Sequence, residues 1–456
     1  MLVRILDRLL SRLTPENKKF YKRFLMLAAP VVMSELLAAG VNVLDTIMIT
    51  RGMGIYEVTG AALASQFYFI FVLVFWGAAG ACGVFIGQYY GKGEKENIKK
   101  TVGLGLTCSL IITVIFFIPS FFFPYQVISI FSPYAPIRYF GAQFLRSLSI
   151  GFPFVAITFT RNACMRNIGQ TKLPMVTTSV ALTCNFILNM ILIFGFNAPL
   201  AIVAFGTVIA RFIEMCLQHY LIKKYKIPIH GTIKEYLRFD YAFIKEVFKV
   251  GIFIVLATSV WSIGTAVYNI AFGFIGPHAQ GSVKIGTSLM QLFQIFGMAL
   301  GVATQIVMTN TLGSGDQELS VRYAKKCIGT AFGVSCFMAI MLAIFAPWVV
   351  LIFGAEEHIR QYVLRLTYIY CVGLILRTVN FVQLNGVIRS GGDTKFNFYL
   401  DLVAVWFVGV PLAFLGAVVL QWEIHWVVML VHADEILKFV AGLLRVKSLK
   451  WAKRIV

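Results

Sequence analysis

Asp45 is the residue in this chain best placed for chemistry. It stands in Asn42-Val43-Leu44-Asp45-Thr46, near the far end of the first long apolar stretch. A carboxylate inside a membrane span costs about 2.5–3.5 kcal/mol on insertion scales and so usually marks function. It can bind Na⁺ or carry a proton; its plainer role is a group close enough to the interface to stay hydrated. Asn185 and Asn189 are four residues apart in a later apolar stretch and share one helix face. With Thr207 they could extend an oxygen-rich site, or serve only as interhelical hydrogen-bond partners. Asp45, Asn185, Asn189 and Thr207 form the candidate site for a coupling Na⁺ or H⁺.

Other charged groups fall within apolar segments. Glu35 precedes Asp45 by ten residues, about 15 Å of helix rise. It could meet a cationic substrate, relay a proton or pair with a neighbouring span. Arg377 either faces a cavity or neutralises a carboxylate. Glu214, Asp401 and Asp434 read as gate or loop-anchoring groups at helix ends. Catalytic constellations are missing: there is no Gly-x-x-x-x-Gly-Lys-Ser/Thr, no His-Glu-x-x-His and no Gly-x-Ser-x-Gly. The chain is expected to be no enzyme and to use no cofactor. Its energy is expected to come from an ion gradient.

The elements that must position these groups are written twice. Arg166-Asn167-Ile168-Gly169-Gln170-Thr171-Lys172 returns 223 residues later as Arg389-Ser390-Gly391-Gly392-Asp393-Thr394-Lys395. Gly91-Lys92-Gly93-Glu94 is likewise answered by Gly313-Ser314-Gly315-Asp316. The Arg-x-x-Gly-x-Thr-Lys block reads as a hinge, with Gly making the turn and Arg and Lys holding it inside. Spans need about 20 apolar residues. On that measure twelve are expected, at 23–50, 58–90, 100–123, 137–160, 173–195, 199–222, 243–274, 280–312, 325–353, 361–387, 396–420 and 425–446. The fold class is an all-α membrane protein of twelve transmembrane helices in two pseudo-symmetric six-helix bundles. Six spans per copy make both copies enter the membrane in the same direction.

The 456 residues are 59% hydrophobic and 13% charged, with mean hydropathy +0.81, which excludes a soluble globular chain. A net charge of +20 could suggest nucleic acid. Lys and Arg crowd instead into alternate connections, which orients a multi-pass protein with both termini cytoplasmic, in contact with anionic lipid. No nucleic-acid partner is expected. The expected domains are an amphipathic cytoplasmic N-terminus over 1–22, whose Leu2–Leu10 should lie on the membrane surface, and bundles over 23–222 and 243–446. A linker over 223–242, read as a tether, joins the bundles, and a basic tail covers 447–456. The eight cysteines show no metal or redox spacing and read as small core residues.

These residues resemble the multidrug and toxic compound extrusion (MATE) family. The matches are Pro30…Asp45, Gly87-Gln88…Gly91 with Gly93, Arg166…Gly169-x-Thr171…Pro174, and Asn185…Asn189 before Leu192-Ile193-Phe194-Gly195. They continue with Arg389…Gly392-Asp393-Thr394 and Trp406…Gly409-Val410-Pro411-Leu412. The resemblance covers essentially the whole chain. It implies a V-shaped pair of bundles, expected to be monomeric in a bacterial inner membrane, exporting small amphiphilic organic cations in exchange for Na⁺ or H⁺. By position, Asp45 matches the family's coupling aspartate, and Asn185 and Thr207 match ligands of its cation site. Asn189 falls where several relatives carry a second aspartate. Trp261 and Thr378 fall where sodium-coupled relatives carry a glutamate and an aspartate, so coupling is expected in the first half. Glu35, Trp261 and Arg377 are the expected substrate-cavity residues. The alternative within the superfamily is a flippase of lipid-linked glycans, for which Arg377 would meet pyrophosphate.

Overall fold

A computed structural model describes residues 14–352 and 357–456. The surface helix expected over Leu2–Leu10 lies outside the described residues. The chain is 87% helical, with no strand among the described residues. Its crossing elements are α1 (Pro15–Gly52), α2 (Ile55–Lys92), α3 (Lys95–Phe122), α4 (Ala135–Ser149 and Phe152–Asn167), α5 (Lys172–Gly195) and α6 (Leu200–Lys224). In the second copy these are followed by α7 (Tyr241–Gly273), α8 (Pro277–Gly313), α9 (Gln317–Ile352), α10 (Glu357–Asn380, continued through Phe381–Ile388 and Arg389–Gly391), α11 (Thr394–Val419) and α12 (Ile424–Val431 and Ala433–Lys447). Ten are single helices long and apolar enough to cross a membrane.

The other two are broken, for different local reasons. α4 bends by 54° where Gly151 precedes Pro153, whose ring cannot continue the preceding helix. At the break in α12, His432 Nδ1 lies 2.7 Å from the Val428 carbonyl, which the His432 backbone N–H reaches only at 3.3 Å. A side chain that competes for a helix carbonyl loosens the backbone ladder there. α11 widens into π-helical turns on both sides of Pro411, as expected where proline removes a backbone donor.

Backbone geometry repeats with the sequence. Gly93 and Gly315 have φ of 85° and 84°, and Gly169 and Gly392 have 82° and 77°. These left-handed positions end α2, α8, α4 and α10, where a side chain would be strained. After the sixth helix of each copy, Lys226 and Leu449 take φ of 48° and 58°, again 223 residues apart.

Packing divides the chain into a first unit, Met33–Gly251, and a second, Met1–Val32 with Ile252–Val456. The cuts fall inside α1 and α7, not between spans. Phe20, Phe24, Leu27 and Ala28 of α1 pack with Leu300, Ala303 and Ile306 of α8 in the second unit. In the first unit, Phe71 of α2 stacks on Phe152 of α4 at 4.3 Å between ring centroids, inside a core that includes Ala64, Phe75 and Leu145.

The linker is more than a tether. Ile227 and Ile229 are buried, and Thr232 caps a short helix, Ile233–Tyr236, that packs on α3. Lys99 of α3 pairs with Glu235 at 2.6 Å. That hydrogen bond, then the Thr232 backbone N–H, lowers the Glu235 carboxyl from 4.5 to about 2. A depressed carboxyl stabilises docking above its unfolded value and loses that contribution as pH falls toward about 2. Glu235→Gln is therefore expected to speed tryptic cleavage at Lys234 and Arg238 at neutral pH, while the wild-type linker resists equally at pH 8 and pH 6. Equal cleavage of both proteins would refute the clamp.

Candidate functional site

The four residues of the candidate cation site come together in the first unit. Asp45 is half-buried on the C-terminal third of α1, and Asn185 and Asn189 are buried one turn apart on α5. Asn189 Nδ2 donates to Asp45 Oδ1 at 3.2 Å. The orientation of the Asn185 amide that satisfies both its ends has Nδ2 donating to Asp45 Oδ2 at 2.9 Å and Oδ1 accepting from Thr207 Oγ1 at 3.0 Å. Both carboxylate oxygens are thus held by amide N–H groups, and Thr207 fixes one of those amides from α6. Asn189 Oδ1 is enclosed and has no donor, a buried acceptor that ordinarily finds a partner.

This donor set fits a small hard cation. It offers two carboxylate oxygens, two amide oxygens and one hydroxyl, the oxygen chemistry that alkali and alkaline-earth ions take. Only one member is charged, which suits a single positive charge. Gly206 of α6 makes the packing possible, since a Cβ there would stand 2.5 Å from Asn189 Oδ1 and 3.5 Å from Leu188 Cβ. Gly206→Ala is expected to push Asn189 off Asp45 at an overpacking cost of about 1–3 kcal/mol. Its check is the apparent melting midpoint together with the ion dependence of efflux; wild-type values for both would show that α5 and α6 do not need this contact.

The expected substrate-cavity residues are divided between the two units. Glu35 lies in the first unit, 3.6 Å from Arg166 Nη2 of α4, both side chains partly exposed. Trp261, 41% exposed on α7, and Arg377 belong to the second unit. Arg377 takes the second of its two expected roles: its Nε is 3.3 Å from Glu435 Oε1, close enough for an ion pair but too poorly aligned for a hydrogen bond.

The second unit holds a charged network that sequence reasoning missed. Lys438 Nζ is 3.1 Å from Asp401 Oδ1, Tyr268 donates to Asp434 Oδ2 at 3.0 Å, and Asn380 Nδ2 donates to Glu435 Oε2 at 2.8 Å. Asp434, Glu435 and Lys438 are all buried, so Asp434 and Asp401, expected as gate or loop-anchoring groups, take part in a side-chain network. Glu214 is buried too, at 1% exposure, and is held by Arg211 at 2.7 Å and Thr178 at 2.8 Å. The signal was present as Asp434, Glu435 and Lys438 falling on one face of α12. The site itself is not duplicated. At an offset of 223, Asp45, Asn185, Asn189 and Thr207 correspond to Tyr268, Val408, Leu412 and Leu430.

The MatE family model matches twice, over residues 30–191 and 253–415, once in each copy of the repeat. The chain is 22% identical over 393 residues to "Probable multidrug resistance protein YoeA" of Bacillus subtilis, covering 84% of each. It is also 22% identical to "Multidrug resistance protein MdtK" of Yersinia enterocolitica, over 86% of this chain and 87% of that one. A solved structure of a MATE in the straight conformation superposes with a TM-score of 0.85, covering 94% of this chain and 96% of that one at 17% identity. At that identity the likeness shows the fold alone, twelve helices in two copies of six. Matched in both halves and over most of its length, this multi-pass membrane chain belongs to the MatE family of multidrug-efflux transporters.

Proposed function

We propose that the chain is a secondary antiporter that exports amphiphilic organic cations by alternating access, driven by Na⁺ or H⁺ bound at Asp45. The observation that carries this reading is the Asp45 carboxylate bracketed by the two amides of α5, with Asn189 Oδ1 left over. In that arrangement both amides donate to the Asp45 carboxylate. Turning each amide over would present its oxygen to an incoming Na⁺, whereas a proton would need only one of the two N–H donors to let go. Ion arrival therefore changes how α1, α5 and α6 are held together, and that change is what an antiporter must transmit to its substrate path. The duplicated frame supports alternating access. The Lys- and Arg-rich connections support termini on the cytoplasmic side.

The flippase reading leaned on Arg377 as a pyrophosphate ligand. Its pairing with Glu435 weakens that support. The test is efflux from proteoliposomes of a panel of fluorescent cations and anions, with Na⁺ and pH gradients imposed separately. Uphill export of cations driven by either gradient is the expected result. Export that neither gradient drives would end the antiporter reading.

A further inference from the structure

Arg166 and Arg389 hold the same place in the two copies of the repeat, yet among the described residues only Arg166 has a counter-charge. Arg166 lies 3.6 Å from Glu35. The position equivalent to Glu35 in the second copy is Thr258, whose hydroxyl donates to its own helix at the Ile254 carbonyl, 2.9 Å away. Arg389 has no carboxylate at ion-pairing distance among the described residues. The nearest acid in sequence, Asp393, is held instead by Arg445 at 2.7 Å. Arg389 Nη1 reaches only Asn385 Oδ1, at 3.4 Å, and its Nε is enclosed without an acceptor.

A second unmatched donor lies on the helix packed against α10. Gly386 lets α10 approach α8 closely: a Cβ there would meet Thr304 and lie 3.3 Å from the Gly301 carbonyl oxygen. That approach brings Ser390 Oγ to 3.5 Å from the Gln305 carbonyl. Gln305 Nε2 is also enclosed with no acceptor. An enclosed guanidinium N–H left without an acceptor is costly, and an oxygen of a bound anion would satisfy it. The fork of N–H groups on Arg matches two oxygens of one anionic group. We propose that Arg389, supported by Gln305 of the adjoining α8, binds an oxyanion, the carboxylate or phosphate group of a lipid or of an acidic solute.

The test uses the full-length chain in phosphatidylcholine nanodiscs, titrated calorimetrically with octyl phosphate, octanoate and octyltrimethylammonium against empty discs. The two anions should bind wild-type protein at one site. Arg389→Gln should weaken both by about tenfold or more, as loss of a charge-assisted hydrogen bond entails, and leave the cation unaffected. Thr258→Glu places in the second copy the carboxylate that the first copy has, and should weaken the anions in the same way. It also keeps the test open if Arg389→Gln does not fold. Replacing part of the phosphatidylcholine with phosphatidylglycerol separates the sources: competition with octyl phosphate points to lipid phosphate, and no competition points to a solute. Wild-type protein that binds neither anion, or folded variants that bind octyl phosphate as tightly as wild type, would overturn the proposal. Because binding is read without transport, this result is independent of the antiporter reading.

Discussion

Asp45→Asn is expected to abolish efflux against a gradient while leaving downhill equilibration of the same substrate. Asparagine keeps the size and one oxygen of aspartate, so α1 can still meet Asn185 and Asn189 across the present distances of 2.9 and 3.2 Å. What disappears is the charge. A neutral amide neither takes up a proton at physiological pH nor balances Na⁺, so the ion loses its hold on the arrangement of α1, α5 and α6. Coupling between two ligands is typically about 1–3 kcal/mol, or roughly 5–150-fold in affinity, and it is reciprocal. The variant should therefore bind substrate with an affinity that no longer responds to Na⁺ or pH, and accumulate none uphill in driven vesicles. Uphill efflux by Asp45→Asn at the wild-type rate would remove the site from the mechanism. Asn185→Ala and Asn189→Ala should give milder losses, because each removes one amide and leaves the charge.

How much of this was legible in the sequence depends on how local each cause is. The duplicated turns were legible because Gly93, Gly169, Gly315 and Gly392 each take a backbone conformation that favours glycine. Asp45, Asn185, Asn189 and Thr207 were legible as a set because each is a polar residue on an apolar helix, and helical spacing fixes the face of the two asparagines. The second-unit network was not, because its members come from four helices and their meeting depends on tertiary packing. Asp401 and Lys438, for example, are joined only when α11 and α12 pack. The linker was misread for a similar reason: two of its apolar residues, Ile227 and Ile229, are buried by tertiary packing, so it needs no core of its own. The breaks in α4 and α12 divide on the same line. Gly151 and Pro153 announce the first, whereas the His432 contact that marks the second depends on a side-chain rotamer.

That network makes Lys438→Met the substitution with the largest expected effect on stability. Lys438 and Arg377 are the two permanent cations facing Asp401, Asp434 and Glu435. Methionine fills much of the space of the lysine stem but removes the charge, so Asp401, 19% exposed, keeps a largely enclosed carboxylate without its partner. Breaking a buried pair from one side costs about 3–5 kcal/mol, a large share of a typical stability. The apparent melting midpoint of the purified protein should fall sharply. A second change, Asp401→Asn, should recover much of that loss by removing the stranded charge, and the recovery distinguishes an ion pair from simple packing. The Lys326–Glu16 pair is the natural contrast, with the glutamate side chain 58% exposed. Lys326→Met should cost no more than about 1 kcal/mol. A Lys438→Met midpoint equal to wild type, or a double variant no better than the single, would mean that Asp401 is neutralised by other means. The second unit would then hold its buried acids without the lysine that now lies between them.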